Sequence, residues 1–315
     1  MSAARGLVVR QIGTVVASAL FMLLAAITVA FLALRLAPGD PVTAIMGDAS
    51  NPDLRAQVAR DWGLDKPLAV QYFTYLGKLL HGDFGYSYVR GEPVADVLFG
   101  DQLLATATLA GAALLIAVVL APLLAVATAG RRGVVSRLVS GGELVLASAP
   151  AFWVGLVLIA IFAFWLRVLP VTSGNGFQRL ILPAVTLALP IAAVLAQVIR
   201  EGIERALEQP FVLTARSRGV GDTAIRVRHG LRHSLIPAAT LAGWAVSSLL
   251  TGTSVVEEVF GRAGIGRATV EAVSYQDLPV VLGVAILTAT VFLTVSVAVD
   301  IAYLWIDPRR REVSA

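Results

Sequence analysis

Apolar and polar residues fall in long blocks along this chain. An uncharged run from Gln11 to Leu34 follows Arg5 and Arg10, and further apolar runs cover residues 103–129, 138–166, 182–199 and 237–256. A sixth opens after YQDLPVV at 275–281. About 20 apolar helical residues suffice to cross a bilayer. The pattern therefore predicts an all-α polytopic membrane protein with six transmembrane helices. A secretory signal has an apolar core of only ~7–15 residues, so the first span, about residues 12–36, reads as retained.

Composition agrees. The 315 residues are 57% hydrophobic, and the mean hydropathy of +0.80 excludes a pair of soluble domains. Without cysteine there are no disulfides or thiolate metal sites. A pI near 9.7 raises nucleic acid as a partner, but the basic residues sit in short loops between spans, which is a topogenic pattern rather than a binding stripe. Placing both termini in the cytoplasm puts fifteen Lys and Arg on that side and nine outside, mostly in one long loop. Short outer loops carry far fewer bases, as the positive-inside rule requires.

The polar blocks carry the remaining information. Residues 37–102 hold nine acids against five bases and form an extracytoplasmic loop. Within it Leu68, Tyr72, Tyr75, Leu76 and Leu79 recur at helical spacing. This stripe either covers the membrane mouth and seats a partner or lies as an amphipathic helix at the interface. Glu143 is an acid inside the third span, either functional or paired with a loop arginine. Pro183 and Pro190 in the fourth span each remove a helix hydrogen bond, giving a hinge or a static bend. The fifth span is rich in small residues that let helices approach closely.

Residues 200–237 form the main polar interruption of the second half, with seven arginines and two of the three histidines. Pro210 suits the first turn of a helix, on which Phe211, Val212 and Ala215 offer a small apolar docking face. Gly219 and Gly221 permit a sharp turn with positive φ. Asp222 is expected to cap a second helix, where Arg226, His229 and His233 share a face beside Arg228 and Arg232. Pro237 should mark where that helix bends or restarts on entering the bilayer.

No phosphate-cradling G-x-x-x-x-G-K-[ST] loop is present, so the chain is not expected to bind ATP itself. The local signs of serine hydrolases and zinc proteases are missing too. His229 and His233 could meet one metal ion, but no third ligand lies beside them and the arginines repel a cation. No catalytic and no metal site is expected.

TARSRG (214–219) and RHGLRHSLIP (228–237) resemble the EAA loop of ABC importer permeases, in the form of the dipeptide, oligopeptide and nickel class. PGDP (38–41), GLDKPL (63–68), GDFGYS (82–87), ATATL (105–109), SAPAFW (148–153), EEVFGRAGIGR (257–267), Asp300 and DPRRR (307–311) extend the resemblance over nearly the whole chain. Departures are Pro210 for a common acid, Ser217 for alanine, His233 for asparagine, Ala263 for proline and Ser296 for asparagine. The resemblance implies a type I importer permease fold. It divides the chain into a cytoplasmic N-terminus with the first span (1–36), an extracytoplasmic loop (37–102) and a five-helix core (103–315) containing the coupling loop 200–237. It also implies that Phe211, Val212, Thr214, Ala215, Arg216 and Gly219, with Arg228, His229 and Pro237, couple to an ATPase. Extracytoplasmic partner contacts fall to Asp40, Tyr72, Tyr75, Phe84 and Tyr86.

The implied assembly pairs this chain with a second permease, two ATPase subunits that bind ATP and Mg, and an extracytoplasmic binding protein, in the lipid of a prokaryotic cell membrane. The implied cargo is dipeptides or short oligopeptides; nickel complexes, glutathione and haem are alternatives. An ATP-independent secondary transporter would instead carry paired ionisable groups or broken helices at the midplane. Glu143 and Asp300 both fall near membrane edges.

Overall fold

The computed structural model describes residues 2–36, 41–46, 51–61, 63–64, 66–171 and 175–306, and it is predominantly helical. The first part runs α1 (Ser2–Leu36), α2 (Pro41–Met46), α3 (Pro52–Asp61), α4 (Leu68–Leu80), a hairpin of β1 (Tyr86–Ser87) and β2 (Glu92–Pro93), then α5 (Val94–Phe99) and α6 (Asp101–Thr128). The hairpin is antiparallel, with Tyr86 opposite Pro93 and Ser87 opposite Glu92. There follow α7 (Val134–Ser148), α8 (Ala151–Leu158) extended by a π-helical turn (Ile159–Trp165), and α9 (Gln178–Leu207). The last part is α10 (Pro210–Ser217), α11 (Asp222–Ile225) with a π-helical turn (Arg226–Gly230), α12 (Leu231–Thr240), α13 (Ala242–Val259), α14 (Ile265–Ser274) and α15 (Leu278–Ile306).

Among the described residues four helical segments are long and apolar enough to cross a membrane: Gly13–Ala33, Val94–Thr128, Gln178–Leu207 and Leu278–Ala298. A bent pair, α7 with α8 and its π turn, makes up to five. The third span expected over 138–166 is therefore not one rod. It breaks by 118° between Ser148 and Ala151. Pro150 is the cause: its ring disfavours helical backbone at the residue before it, and Ala149 is extended with ψ 135°.

The fifth expected span, 237–256, is also interrupted. Pro237 lies inside α12, and the break comes four residues later at Leu241, whose ψ is −3°. A proline forfeits only the bond from its own nitrogen to the preceding turn, so the helix continues past it. Likewise α9 runs through both Pro183 and Pro190 without a break.

The described residues form two compact units. One comprises the described residues of Met1–Val8, Ala107–Gly261 and Ala298–Ala315 and is built around α9. On α6, Leu109, Ala113, Ala117, Ala121 and Ala125 are fully buried at four-residue spacing, a smooth stripe that admits close packing. The crossing of α9 and α12 is tighter still. A Cβ added at Gly202 would stand 2.6 Å from Ser234 Cβ, so only glycine fits there. The other unit joins Val9–Thr106 to Arg262–Val297. In it Val94, Val97 and Leu98 of α5 pack with Ile265, Ala268 and Ala272 of α14 and with Val280 and Val284 of α15.

Candidate functional site

The loop between α9 and α12 is built for rigidity. Gln209 is extended (ψ 146°), which turns the chain out of α9, and Pro210 occupies the first turn of α10. At the other end Gly219 N–H donates to Arg216 O at 2.9 Å and Val220 N–H to Ala215 O at 3.1 Å. This is a Schellman closure, and it places Gly219 at φ +79°. Gly221 has φ −66°, so only the first of the two glycines needs left-handed backbone. Gly221 also takes the cap position assigned to Asp222. The Asp222 carboxylate instead accepts a hydrogen bond from Arg216 Nε at 3.1 Å, tying the two short helices together.

The faces of α10 differ from the expected docking face in one respect. Val212 is buried at 1% exposure, while Leu213, next to it, is 70% exposed. The unpartnered apolar knob is thus Leu213, which sequence spacing passed over. Thr214 and Arg216 are exposed and Ala215 is half-buried. Phe211 is clamped by both histidines: its ring lies 5.7 Å from His229 and stacks on His233 at 5.8 Å. Through these rings α10 meets both the π-helical turn at Arg226–Gly230 and α12. Arg228 is exposed and Arg226 buried. Pro237 is exposed within α12.

A buried ion pair holds the start of this loop. The Arg200 guanidinium donates to both carboxylate oxygens of Glu143, to Thr128 Oγ1 at 2.7 Å and to Ser140 Oγ at 2.8 Å. Glu143 is 3% exposed. The acid expected inside the third span thus pairs with an arginine of α9 rather than of a loop, and that one side chain binds both α6 and α7. Glu204 adds a second tie, accepting from Gly130 N–H at 3.1 Å.

In the other unit, most of the aromatic residues expected to meet a partner are engaged at home. Tyr72 OH shares a 2.7 Å hydrogen bond with Thr28 Oγ1, and its ring lies 5.4 Å from Phe31. Tyr75 also packs on Phe31, at 5.6 Å, and burial pushes its phenol up to about 12. Phe84 is half-buried against Phe99. Tyr86 is exposed, 5.2 Å from Tyr88. Asp40, DPRRR and the side chain of Asp300 lie outside the described residues. Phe73 and Leu80 of α4 are strongly exposed, as an interfacial helix would have them. Between α4 and the hairpin opens a cavity of about 350 Å³, lined by Asp61, Gln71, Tyr75, Asp83, Tyr86 and Tyr88 among others.

A polar latch on this unit gave no signal in the sequence. Arg90, in the hairpin turn, pairs with Glu271 of α14 at 2.8 Å, and Arg267 meets the same carboxylate at 3.1 Å. Ser87 Oγ donates to Asp277 at 2.5 Å. Burial raises the Asp277 carboxyl above the usual carboxylate range, opposed by the Ser87 bond and by Arg90.

A helical chain with apolar spans and a glycine-closed short helix between two of its elements meets the expectation of a transport permease, and comparison with known families decides it. Residues 113–312 match the family described as binding-protein-dependent transport system inner membrane component, and residues 4–110 match its N-terminal region. The chain belongs to that family. Relatives include the glutathione transport system permease protein GsiC of Salmonella paratyphi A and of Salmonella typhimurium, each 35% identical over 89% of this chain and 92% of theirs. GsiC of Escherichia coli is 34% identical over the same shares. The permease is an inner-membrane component of an ABC importer.

Proposed function

We propose that this permease forms half of a peptide translocation path and is driven through α10. The supporting observation is the geometry of that helix: a proline start, a Schellman stop at Gly219, an aromatic brace to α12 and an outward Leu213. An ATPase groove would receive Leu213, Thr214 and Arg216. Force on α10 would pass through Phe211 to His229, His233 and α12, and through Gln209 to α9.

In this reading the chain crosses the membrane six times with both termini in the cytoplasm, as a type I permease. The bent α7–α8 pair serves as the third crossing and α12–α13 as the fifth. Residues 37–102 then lie outside, and 200–237 lie in the cytoplasm. A second, similar permease completes the path as a heterodimer, with two ATPase subunits holding ATP and Mg and an extracytoplasmic binding protein delivering cargo. The cargo is a short peptide, a class that includes glutathione, the solute in the relatives' name.

The test is ATPase activity of the complete assembly in lipid, measured with a binding protein loaded in turn with dipeptides, oligopeptides, glutathione, nickel chelates and haem. Stimulation by peptides alone supports the reading. Stimulation by nickel chelates or haem alone reassigns the cargo, and failure of folded ATPases to associate removes the coupling role.

A further inference from the structure

We propose that Arg200 is a positioning residue for transport, the fork that makes α6 and α7 travel with α9 when α10 is driven. This rests on the reading above that α10 is the lever.

Each nitrogen of the Arg200 guanidinium engages a different side chain. Nε donates to Thr128 Oγ1 at the end of α6 at 2.7 Å, and Nη1 to Ser140 Oγ of α7 at 2.8 Å. Nη2 donates to both carboxylate oxygens of Glu143. Ser140 and Glu143 stand three residues apart and so share one face of α7. Glu204, one turn beyond Arg200 on the same face of α9, accepts from Gly130 N–H in the α6–α7 turn at 3.1 Å. The last turns of α9 therefore grip α6, the turn after it and α7.

Little else holds α7. Among the described residues Glu143 is the one residue of α7 that is buried, and no apolar side chain of this helix joins the core built around α9. Val134, Val135, Leu138, Leu144 and Val145 are 59–73% exposed. Lipid tails are as apolar as these side chains, so they give no drive for α7 to stay on its neighbour. On α6 the buried stripe after Leu109 is alanine, which admits close approach without large interlocking knobs.

The fork also lies close to the lever. From Arg200 to Leu207 α9 is unbroken, about 10 Å of helix, before Gln209 turns the chain into α10. Rigid helices joined by hydrogen bonds and ion pairs carry such a push onward. The planar arginine head suits three partners at once, whereas a lysine ammonium is a point charge. Arg200→Lys therefore keeps Glu143 neutralised but releases Thr128 and Ser140. Neither hydroxyl is stranded by the change. Thr128 Oγ1 also donates to Leu124 O at 2.7 Å, and a serine hydroxyl turns readily to a carbonyl of its own helix. Stability and positioning come apart in this variant.

The experiment uses the complete importer in nanodiscs. The chain has no cysteine, so Val135→Cys on α7 and Arg205→Cys on α9, both exposed, take spin labels beside partner subunits freed of cysteine. Pulsed EPR gives the α7–α9 distance without nucleotide and with ATP and Mg trapped by vanadate. The backgrounds are native, Arg200→Lys and Glu143→Leu with Arg200→Met; melting curves check folding, and the apolar pair carries the test if the lysine variant does not fold. The expected native result is one distance in both states. In the variants trapping shifts or splits that distance, and uptake per ATP of the peptide that best stimulates the native assembly falls about tenfold. A native distance that shifts on trapping, folded variants that keep the native distance, or folded variants with native uptake per ATP overturn the proposal. With ATPases bound to the native permease, those results remove this inference alone. ATPases that do not bind the folded native permease remove the lever reading, and this inference with it.

Discussion

Ser87 and Asp277 stand 190 residues apart in the chain, yet the serine hydroxyl donates to the aspartate at 2.5 Å in a site closed to water. The bond pins the hairpin to the turn that leads into α15. Burial of the Asp277 carboxyl, which the bond opposes, also sets a pH dependence. The folded-state carboxyl titrates above its unfolded value, so the folded form binds the proton more tightly. Its stabilising contribution is present below the unfolded value and is lost as pH rises through the folded one. Melting curves of the purified protein between about pH 4 and about pH 7 should show the native protein losing stability relative to Asp277→Asn as pH rises. Parallel curves would show that the carboxyl does not titrate in this window.

Glu143 and Arg200 form the second polar anchor. Removing one partner strands a buried charge, so Glu143→Gln should lower stability by about 3 kcal/mol. Replacing both with apolar residues of similar volume, Glu143→Leu with Arg200→Met, should recover much of that loss. Denaturation midpoints in detergent test both, and a double variant no better than the single one would show that Ser140 and Thr128 need the guanidinium as well.

At Gly219 the backbone, not a contact, is decisive. Among the described residues no neighbour would obstruct a Cβ there, but φ is +79°. An L-residue in left-handed backbone costs roughly 1–2 kcal/mol, and a β-branched one more. Gly219→Val should reopen the Schellman closure and separate ATP hydrolysis from uptake in vesicles, while Gly219→Ala should do so more mildly. Normal uptake per ATP in the valine variant would argue against α10 as the lever.

Leu213 and Val212 are adjacent on α10 but differ in consequence. Leu213→Ala should weaken ATPase association and leave the melting temperature unchanged, because its side chain is exposed. Val212→Ala should lower stability by roughly 1–2 kcal/mol, because its side chain is buried. Pull-down of the ATPases alongside thermal melting separates the two, and the reverse pattern would mean that α10 turns over on assembly.

Much of the site was legible in the chain. Pro210 and the glycine turn announced α10, because both act through local backbone geometry that needs no neighbour. The inward turn of Val212 and the outward turn of Leu213 were not legible, since a helix of eight residues gives too short a pattern to say which face is buried. Asp222 shows the same limit. Its residue type favours a cap, but the nearby Arg216 guanidinium offered its carboxylate another partner.

By itself the sequence determined that this is a helical membrane protein with a polar loop between apolar spans, because bilayer insertion and loop charge depend on composition over about 20 residues at a time. It also determined the turn at Gly219. Tertiary structure alone decided that Glu143 meets Arg200, that Phe211 lies between two histidines, and that Ser87 reaches Asp277. It also decided that the α7–α8 pair bends by 118° at Ala149 and Pro150, where a proline alone permits a range of angles. The reason is the same in each case. Long-range pairs depend on which helices become neighbours, and in an apolar chain many pairings satisfy the same local pattern until packing selects one.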